Sequence, residues 1–290
     1  MPHKKYLELI RKEFPDHKWK DFKYLTHGWD HNVIILDNEW VFRFPKNKEY
    51  LKKLQKEIEL LKYLNKQITL PIPNYTLIAK DKSFAGYKII KGKEFKPWIY
   101  KNKVALKNKK KIINQLVEFF NELHSIPLDK IKKYDVKFYD SKKETAKIFK
   151  DVKKYVFPKL NKRERQISEK YFKDCAALET KSVKNTFIHI DIHYSNVLIK
   201  HDDSELAGVI DFSDRVIGDP ATDFAHLWNY GPKFIKSVYK KYRGPKDPEF
   251  LYRSKLYSKW DAFGIMIESF KPMYKCTFKE GHKMFRKLFF

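Results

Sequence analysis

HIDIHYSN at residues 189–196, with VIDF following at 209–212, decides how this chain folds. The block 186–212 reads as three short apolar strands, FIHID, NVLIK and AGVIDF, separated by polar turns. That arrangement puts two carboxylates, Asp191 and Asp211, and the amide of Asn196 on adjacent loops of one small strand unit. Phosphoryl transfer needs one carboxylate beside an acceptor hydroxyl and oxygen ligands that hold magnesium against a triphosphate, and these three residues supply that set. The bare spacing HxDxxxxN says little, because Asp and Asn recur in turns for backbone reasons. The order strand, loop, strand, turn, strand, Asp gives it weight.

Working outward, the chain on either side of this block is mainly helical, with a strong stripe of Ile112, Ile113, Leu116, Phe119, Phe120 and Leu123 over residues 107–125. Earlier, FKYLTHG, NVIIL and EWVFRFP read as a three-stranded antiparallel meander with turns at Gly28–Asn32 and Asp37–Asn38. A short amphipathic helix precedes it, carrying Tyr6, Leu9, Ile10 and Phe14 at helical spacing. Leu51, Leu54, Ile58, Leu61 and Leu64 predict a helix over 49–67, stopped by PIP at 71–73, and strands follow near Thr76–Lys80 and Ala85–Lys91. The expected fold class is α+β in two lobes, residues 1–91 and 92–290, with the boundary near Ile89–Glu94. No repeat, low-complexity tract or flexible linker interrupts them.

Composition bounds the partners. With 42% hydrophobic residues, the 290-residue chain can bury a sizeable core. Its longest apolar stretches fall short of the roughly 18–20 residues of a membrane span. The start MPHKKYLELIRKEF has no apolar signal region, and Cys175 and Cys276 lie far apart, so a cytoplasmic protein is expected. A net charge of +26 favours a polyanionic partner when taken alone. Only eight of the 62 basic residues are arginine, however, and the lysines are spread along the whole chain, as on a solvated surface. Neither GxxxxGK[ST] nor a strand-following GxGxxG occurs, which excludes a P-loop kinase and a Rossmann enzyme.

HIDIHYSN resembles the HGDxHxxN catalytic loop of the aminoglycoside phosphotransferases, which are protein-kinase-like small-molecule kinases, and VIDFSDRVIGDPATDFAHL is similar to their IDFxD...GDPxxDxA segment. HGWDHNVIIL, WVFRFPK, QKEIELLKYL, LPIP, SFAGYKIIKG and FFNELHSI extend the likeness in the same order over residues 25–125 and 186–230, closest to the branch that modifies the two-double-prime hydroxyl. The resemblance implies Asp191 as catalytic base, Asn196 and Asp211 as magnesium ligands, an anchor pair of Arg43 and Glu57, and a nucleotide-positioning loop at Gly28. Arg43 stands where the antibiotic kinases carry lysine, with Lys46 a competitor for the anchor, and Ile190 replaces a small residue beside the base. Asp223 resembles the aspartate that braces the catalytic loop, Asp219 reads as a helix N-cap before Pro220, and His189 as a hydrogen-bonded core histidine.

The implied activity moves the γ-phosphate of ATP or GTP, with Mg2+, to a hydroxyl of an aminoglycoside, giving antibiotic resistance by inactivation. Asp214, Asp261, Glu268 and Glu280 are candidate acids for an acceptor bearing ammonium groups. Against the same residues stand two alternatives: a kinase of choline, homoserine, a methylthio-sugar or an aminosugar, and a non-catalytic kinase-fold protein binding a polyanion. Trp228, Trp260, Phe263 and Phe270 lie at spacings typical of a core.

Overall fold

The protein is described by a computed structural model over residues 2–25, 30–178, 183–271 and 276–290. Helix α1 (Pro2–Glu13) lies over a five-stranded antiparallel sheet whose first strands are β1 (Phe22–Leu25), β2 (His31–Leu36) and β3 (Trp40–Pro45). Asp37 and Asn38 both adopt positive φ, 50° and 52°, between β2 and β3, the twist a tight hairpin requires. Strand alternation then sorts the side chains. Ile34, Leu36, Phe42 and Phe44 turn to α1 and bury with Leu7 and Ile10, each large side chain contributing about 1.5–3 kcal/mol of burial. Val33, Ile35, Val41 and Arg43, at the alternate positions, line a cleft on the other face.

Helix α2 (Lys48–Leu64) starts at Asn47, whose side chain accepts from Tyr50 N, and buries Leu54, Ile58, Leu61 and Leu64. Glu57 on the same helix is buried too, turned to Arg43 rather than into the apolar stripe. Strands β4 (Tyr75–Ile78) and β5 (Ala85–Lys88) complete the sheet in the order β1-β2-β3-β5-β4. Both end sooner than the sequence suggests, and after Lys88 the chain leaves the ladder so that Ile89, Ile90 and Gly92 line the cleft.

β6 (Lys93–Glu94) opens the second half, followed by α3 (Pro97–Asn102), α4 (Leu106–Ser125), α5 (Leu128–Lys132), α6 (Ser141–Asp151) and α7 (Lys162–Leu178). The stripe of α4 is buried as its spacing requires: Ile112, Leu116, Phe119, Phe120 and Leu123 are each at most 1% exposed. Next come β7 (Thr186–Ile188), β8 (Val197–Ile199), β9 (Leu206–Val209) and β10 (Val216–Gly218). β6, β8 and β9 form one small sheet, and β7 pairs with β10 in another. The expected strand through VIDF stops at Val209, because Asp211 takes a φ of +66°, which no strand accommodates. Gly208 is required where β9 meets the α2–β4 connection: a Cβ there would collide with the Pro71 carbonyl, and Val209 N donates to that carbonyl at 2.9 Å.

Short 3₁₀ helices at Pro220–Thr222 and Ala225–Tyr230 precede α8 (Pro232–Lys241), α9 (Phe250–Tyr257), α10 (Trp260–Glu268) and α11 (Phe278–Phe289). Asp219 caps the first of these turns by accepting from Ala221 N and also takes the buried guanidinium of Arg253 at 2.7 Å. Phe263 is fully buried between α7 and α11, and Trp228 packs on the main core and donates to Ser254 Oγ. Trp260 is half-buried beside Tyr257, whereas Phe270 is 42% exposed, departing from the core role its spacing suggested. Among the described residues no helix is long and apolar enough to cross a membrane.

Candidate active site

β7 delivers the loop that begins at His189. His189 is fully buried; its Nε2 faces Ile210 O at 3.0 Å, and its Nδ1 accepts from Asp191 N at 3.3 Å, so both ring nitrogens are spent on backbone. Asp223, also fully buried, takes His189 N on Oδ2 at 3.0 Å and Ile190 N on Oδ1 at 2.6 Å. Oδ2 also faces His124 Nε2 at 3.0 Å, and Tyr242 Oη lies 2.7 Å from the other nitrogen of that ring. One carboxylate thus braces the turn, and it holds Ile190 at a φ of +71°, a conformation strained for a β-branched residue.

The turn projects Asp191, whose carboxylate is 48% exposed. Asn196 Nδ2 donates to Asp191 Oδ2 at 2.8 Å and to its carbonyl at 3.1 Å, tying the two ends of HIDIHYSN together. Ile210 N donates to Asn196 O at 2.9 Å, which places Asp211 next to this pair.

Between sheet and loop lies a cleft of about 440 Å³. Val33, Ile35, Val41, Ile89, Ile90 and Leu198 make it apolar over much of its wall, while Asp30, His31, Arg43, Asp211, Ser213 and Asp214 are among its polar lining residues. Arg43 Nη1 meets Glu57 Oε1 at 2.7 Å; Nη2 donates to Ser213 Oγ at 2.9 Å and lies 4.0 Å from Asp211 Oδ1. Burial works against the charge of Arg43, but the Glu57 carboxylate more than offsets it and the guanidinium stays protonated. For Asp211, burial alone would raise the carboxyl, yet neighbouring Arg43 and the hydroxyl of Ser213 hold it below its ordinary value and therefore ionised. Asp214 shifts the other way, raised by burial and by the charge of Asp211.

Three contributors escaped the sequence reading. Ser213 is the hydroxyl that joins Arg43 to the VIDF turn. His31, 3% exposed at the head of β2, places Nδ1 3.0 Å from Arg43 Nη2; the guanidinium can only donate, so Nδ1 accepts and Nε2 carries the proton. Among the described residues that Nε2–H has no hydrogen-bond partner, and His31 lines the cleft. Burial first, and then Arg43, push the imidazole down to about 3, so it is neutral at pH 7. His226 stands between two carboxylates, Nε2 3.7 Å from Asp191 Oδ1 and Nδ1 3.5 Å from Asp261 Oδ2. Proximity in sequence to Asp223 was the only available signal for it, and spacing does not reveal which way a ring points.

Of the remaining candidates, Asp261 lies in the first turn of α10, and Glu268 ends that helix, seven residues and so about 10.5 Å further along the axis. Burial raises the Glu268 carboxyl. Glu280 accepts from Thr277 N on Oε2 at 2.7 Å in a capping box that starts α11, so part of its carboxylate serves the start of that helix. Lys46 is exposed and does not line the cleft, whereas Arg43 does. Gly28, with the loop expected to position nucleotide, lies outside the described residues.

Residues 21–251 match the family model described as the phosphotransferase enzyme family. Among solved structures, the chain is similar to the GDP and kanamycin complex of APH(2")-IIia, with 25% identity, 98% of each chain covered and a TM-score of 0.87. It shares its fold with the streptomycin and ATP ternary complex of APH(2")-IIa, at 21% identity over 98% of this chain and 95% of that one, TM-score 0.72. A macrolide 2'-phosphotransferase of type I has the same fold at 15% identity, covering 99% and 96%, TM-score 0.74.

Proposed function

Since the chain belongs to the phosphotransferase enzyme family, we propose that it transfers the γ-phosphate of ATP or GTP, with Mg2+, to a hydroxyl of an aminoglycoside. One observation carries this reading: a continuous run of contacts from Glu57 through Arg43 to Asp211, and from the adjacent Ile210 through Asn196 to Asp191. It joins the polar floor of the cleft to a half-exposed carboxylate in the way an in-line transfer requires. The lobes divide at residues 91 and 92, after the sheet ends and before β6 pairs with β8, so the cleft forms at their junction.

The nucleoside base and sugar occupy the apolar wall, and Arg43, oriented by Glu57 and Ser213, clamps the phosphates with a planar fork. Asp191 takes the proton of the acceptor hydroxyl as its oxygen bonds to the γ-phosphorus and the bond from that phosphorus to the bridging oxygen breaks. Asp211 and Asn196 fit a magnesium ion: one is held ionised, and the other commits its nitrogen to Asp191, leaving the amide oxygen as a donor. Magnesium is commonly held by one or two protein oxygens with the rest of its shell from phosphates and water, and one carboxylate and one amide oxygen would serve that role. When bound, the metal would neutralise charge on the phosphates.

Asp261 and Glu268 on α10, with Asp214 in the cleft, are the acids that would receive ammonium groups. The likeness to a kanamycin-bound structure supports this acceptor over a small metabolite, and inactivation of the drug would make the enzyme a resistance factor acting in the cytoplasm. The test is phosphate transfer from ATP and GTP to kanamycin- and gentamicin-like compounds, a macrolide, choline and homoserine. Transfer to the aminoglycosides is expected, with a KM that rises with salt as exposed ion pairs are screened. Efficient transfer to a neutral or anionic metabolite alone would refute the acceptor and keep the kinase. Absence of any transfer, with tight binding of a polyanion, would favour the non-catalytic reading of the +26 charge.

A further inference from the structure

Basic residues are spread along this chain, but acidic ones are not. Its two longest stretches without Asp or Glu are residues 95–117 and 224–246, each of 23 residues, and together they carry 13 Lys and Arg, half of the net charge of +26. The fold lays these stretches side by side. α8 packs on α4, with Lys241 Nζ donating to Asn114 Oδ1 at 2.6 Å, and Tyr100 of α3 meets Phe234 of α8 edge-on with ring centroids 4.7 Å apart. The acids that border this face are already matched: Glu94 to Lys96 at 3.0 Å, Glu118 to Arg243 at 3.1 Å, and Glu205 to Lys111 and Lys200. Lys101, Lys103, Lys107 and Lys110 around α3 and α4, with Lys236 and Lys240 on α8, are exposed to water.

Two large apolar side chains stand among them. Trp98 on α3 is 60% exposed, and Leu106, the first residue of α4, is 85% exposed. Lys103 N and Val104 N both donate to Ile99 O, at 2.8 and 3.1 Å, so the chain doubles back and brings Leu106 to the corner that holds Trp98. Lys103 Nζ lies 5.5 Å from the centre of the Trp98 ring. On α4, helical spacing puts Leu106, Lys107 and Lys110 on the side opposite buried Ile112, Leu116 and Phe119. A single exposed apolar residue is ordinary, whereas two on one basic corner mark a surface that meets something both anionic and apolar.

We propose that the corner where α3 meets α4, with the adjoining face of α8, is a docking surface for a bilayer rich in anionic lipid. The lysines gather at the headgroups, and Trp98 and Leu106 enter the boundary between headgroups and acyl chains, where tryptophan is favoured. A nucleic acid fits the same face less well. Its phosphates and bases are met best by arginine forks, and only Arg243 among the 13 basic residues supplies one; nor do phosphates and sugars cover an aliphatic side chain such as Leu106. None of these residues lines the cleft between the sheet and the catalytic loop, so the surface is separate from that site.

The experiment sediments the full chain with vesicles of phosphatidylcholine alone and of phosphatidylcholine mixed with phosphatidylglycerol, at low and at physiological salt. Binding is expected to the mixed vesicles only, weakening as salt rises. The combined substitutions Lys101→Gln, Lys103→Gln, Lys107→Gln and Lys110→Gln should weaken it at least about tenfold. Lys52→Gln, Lys56→Gln, Lys62→Gln and Lys66→Gln remove the same charge from exposed positions on and just after α2, and should change it less than about twofold. Brominated acyl chains should quench the tryptophan emission of the bound protein, and most of that quenching should be lost in Trp98→Phe, which keeps a ring at the corner. Urea unfolding midpoints report that each variant folds. The proposal is overturned if the mixed vesicles fail to bind at low salt, if the two sets of lysine substitutions weaken binding equally, or if quenching is undiminished in Trp98→Phe. It is also overturned if the chain ignores vesicles and binds RNA through the same four lysines.

Discussion

Arg43 Nη1 sits 2.7 Å from Glu57 Oε1, an ion pair that reaches from the third strand of the sheet to the buried face of the following helix. The pair is almost wholly withdrawn from water, with side-chain exposures of 13% and 2%, so each charge depends on the other.

Arg43→Ala is therefore expected to raise the nucleotide KM by at least tenfold, as a phosphate clamp is lost and a buried carboxylate is left unpaired. Lys46→Ala, on an exposed side chain outside the cleft, should leave that KM within about twofold. Steady-state kinetics over a range of nucleotide concentrations decides between them, and the reverse ordering would move the anchor to Lys46.

Ile190 at a φ of +71° gives a test that runs against the usual helix and loop rules. Replacing it with alanine leaves a Cβ in the left-handed region, whereas glycine relieves a strain of about 1–2 kcal/mol. Ile190→Gly should accordingly be more stable than Ile190→Ala by about 1 kcal/mol in urea unfolding, after allowing for the extra chain entropy of glycine. Equal stabilities, or alanine the better, would mean that the turn is not held in this conformation by Asp223.

The catalytic turn also shows what could be read from sequence. HIDIHYSN and VIDF pointed to Asp191, Asn196 and Asp211, which the fold does bring onto adjacent loops, and helical periodicity found α2 and α4 with their buried stripes. The Arg43–Glu57 pair was legible from strand alternation together with the resemblance. Less was visible where geometry depends on one torsion or one ring. β10 has only three residues, too few for a period; β9 ends early because Asp211 turns left-handed; and His226 becomes part of the site only through the direction of its ring. The capping box that Glu280 forms with Thr277 was likewise not read from the sequence, although the T-x-x-E spacing is its signature.

His31 predicts a pH dependence of stability. Its folded value, about 3, lies below the ordinary 6.5, so between these limits the unfolded chain binds more protons than the folded one. Stability is then present above pH 6.5 and falls as the pH drops towards 3, by about 1.4 kcal/mol per unit for this one group. His31→Gln keeps an acceptor for Arg43 without titrating, and urea unfolding from pH 6.5 to 4.5 should show a slope shallower by about one proton. An unchanged slope would place the unfolding proton uptake elsewhere.

His226 touches Asp191 and Asp261 but not the Arg43 cluster at the floor of the cleft. His226→Ala should thus leave the nucleotide KM unchanged and weaken acceptor use, raising the aminoglycoside KM or lowering kcat by about two- to fivefold, the scale of one lost polar contact beside the carboxylates. A change confined to the nucleotide KM would contradict the placement of the acceptor beside α10.

The most direct measurement of the central claim is single-turnover transfer of phosphate from magnesium nucleotide to kanamycin by the protein and by Asp191→Asn, with nucleotide affinity measured in parallel. The substitution retains a group that can face Asn196 while removing the proton acceptor. Transfer is expected to fall by about two to four orders of magnitude, with nucleotide affinity within a few-fold of the unsubstituted protein. Transfer undiminished in Asp191→Asn would contradict the account.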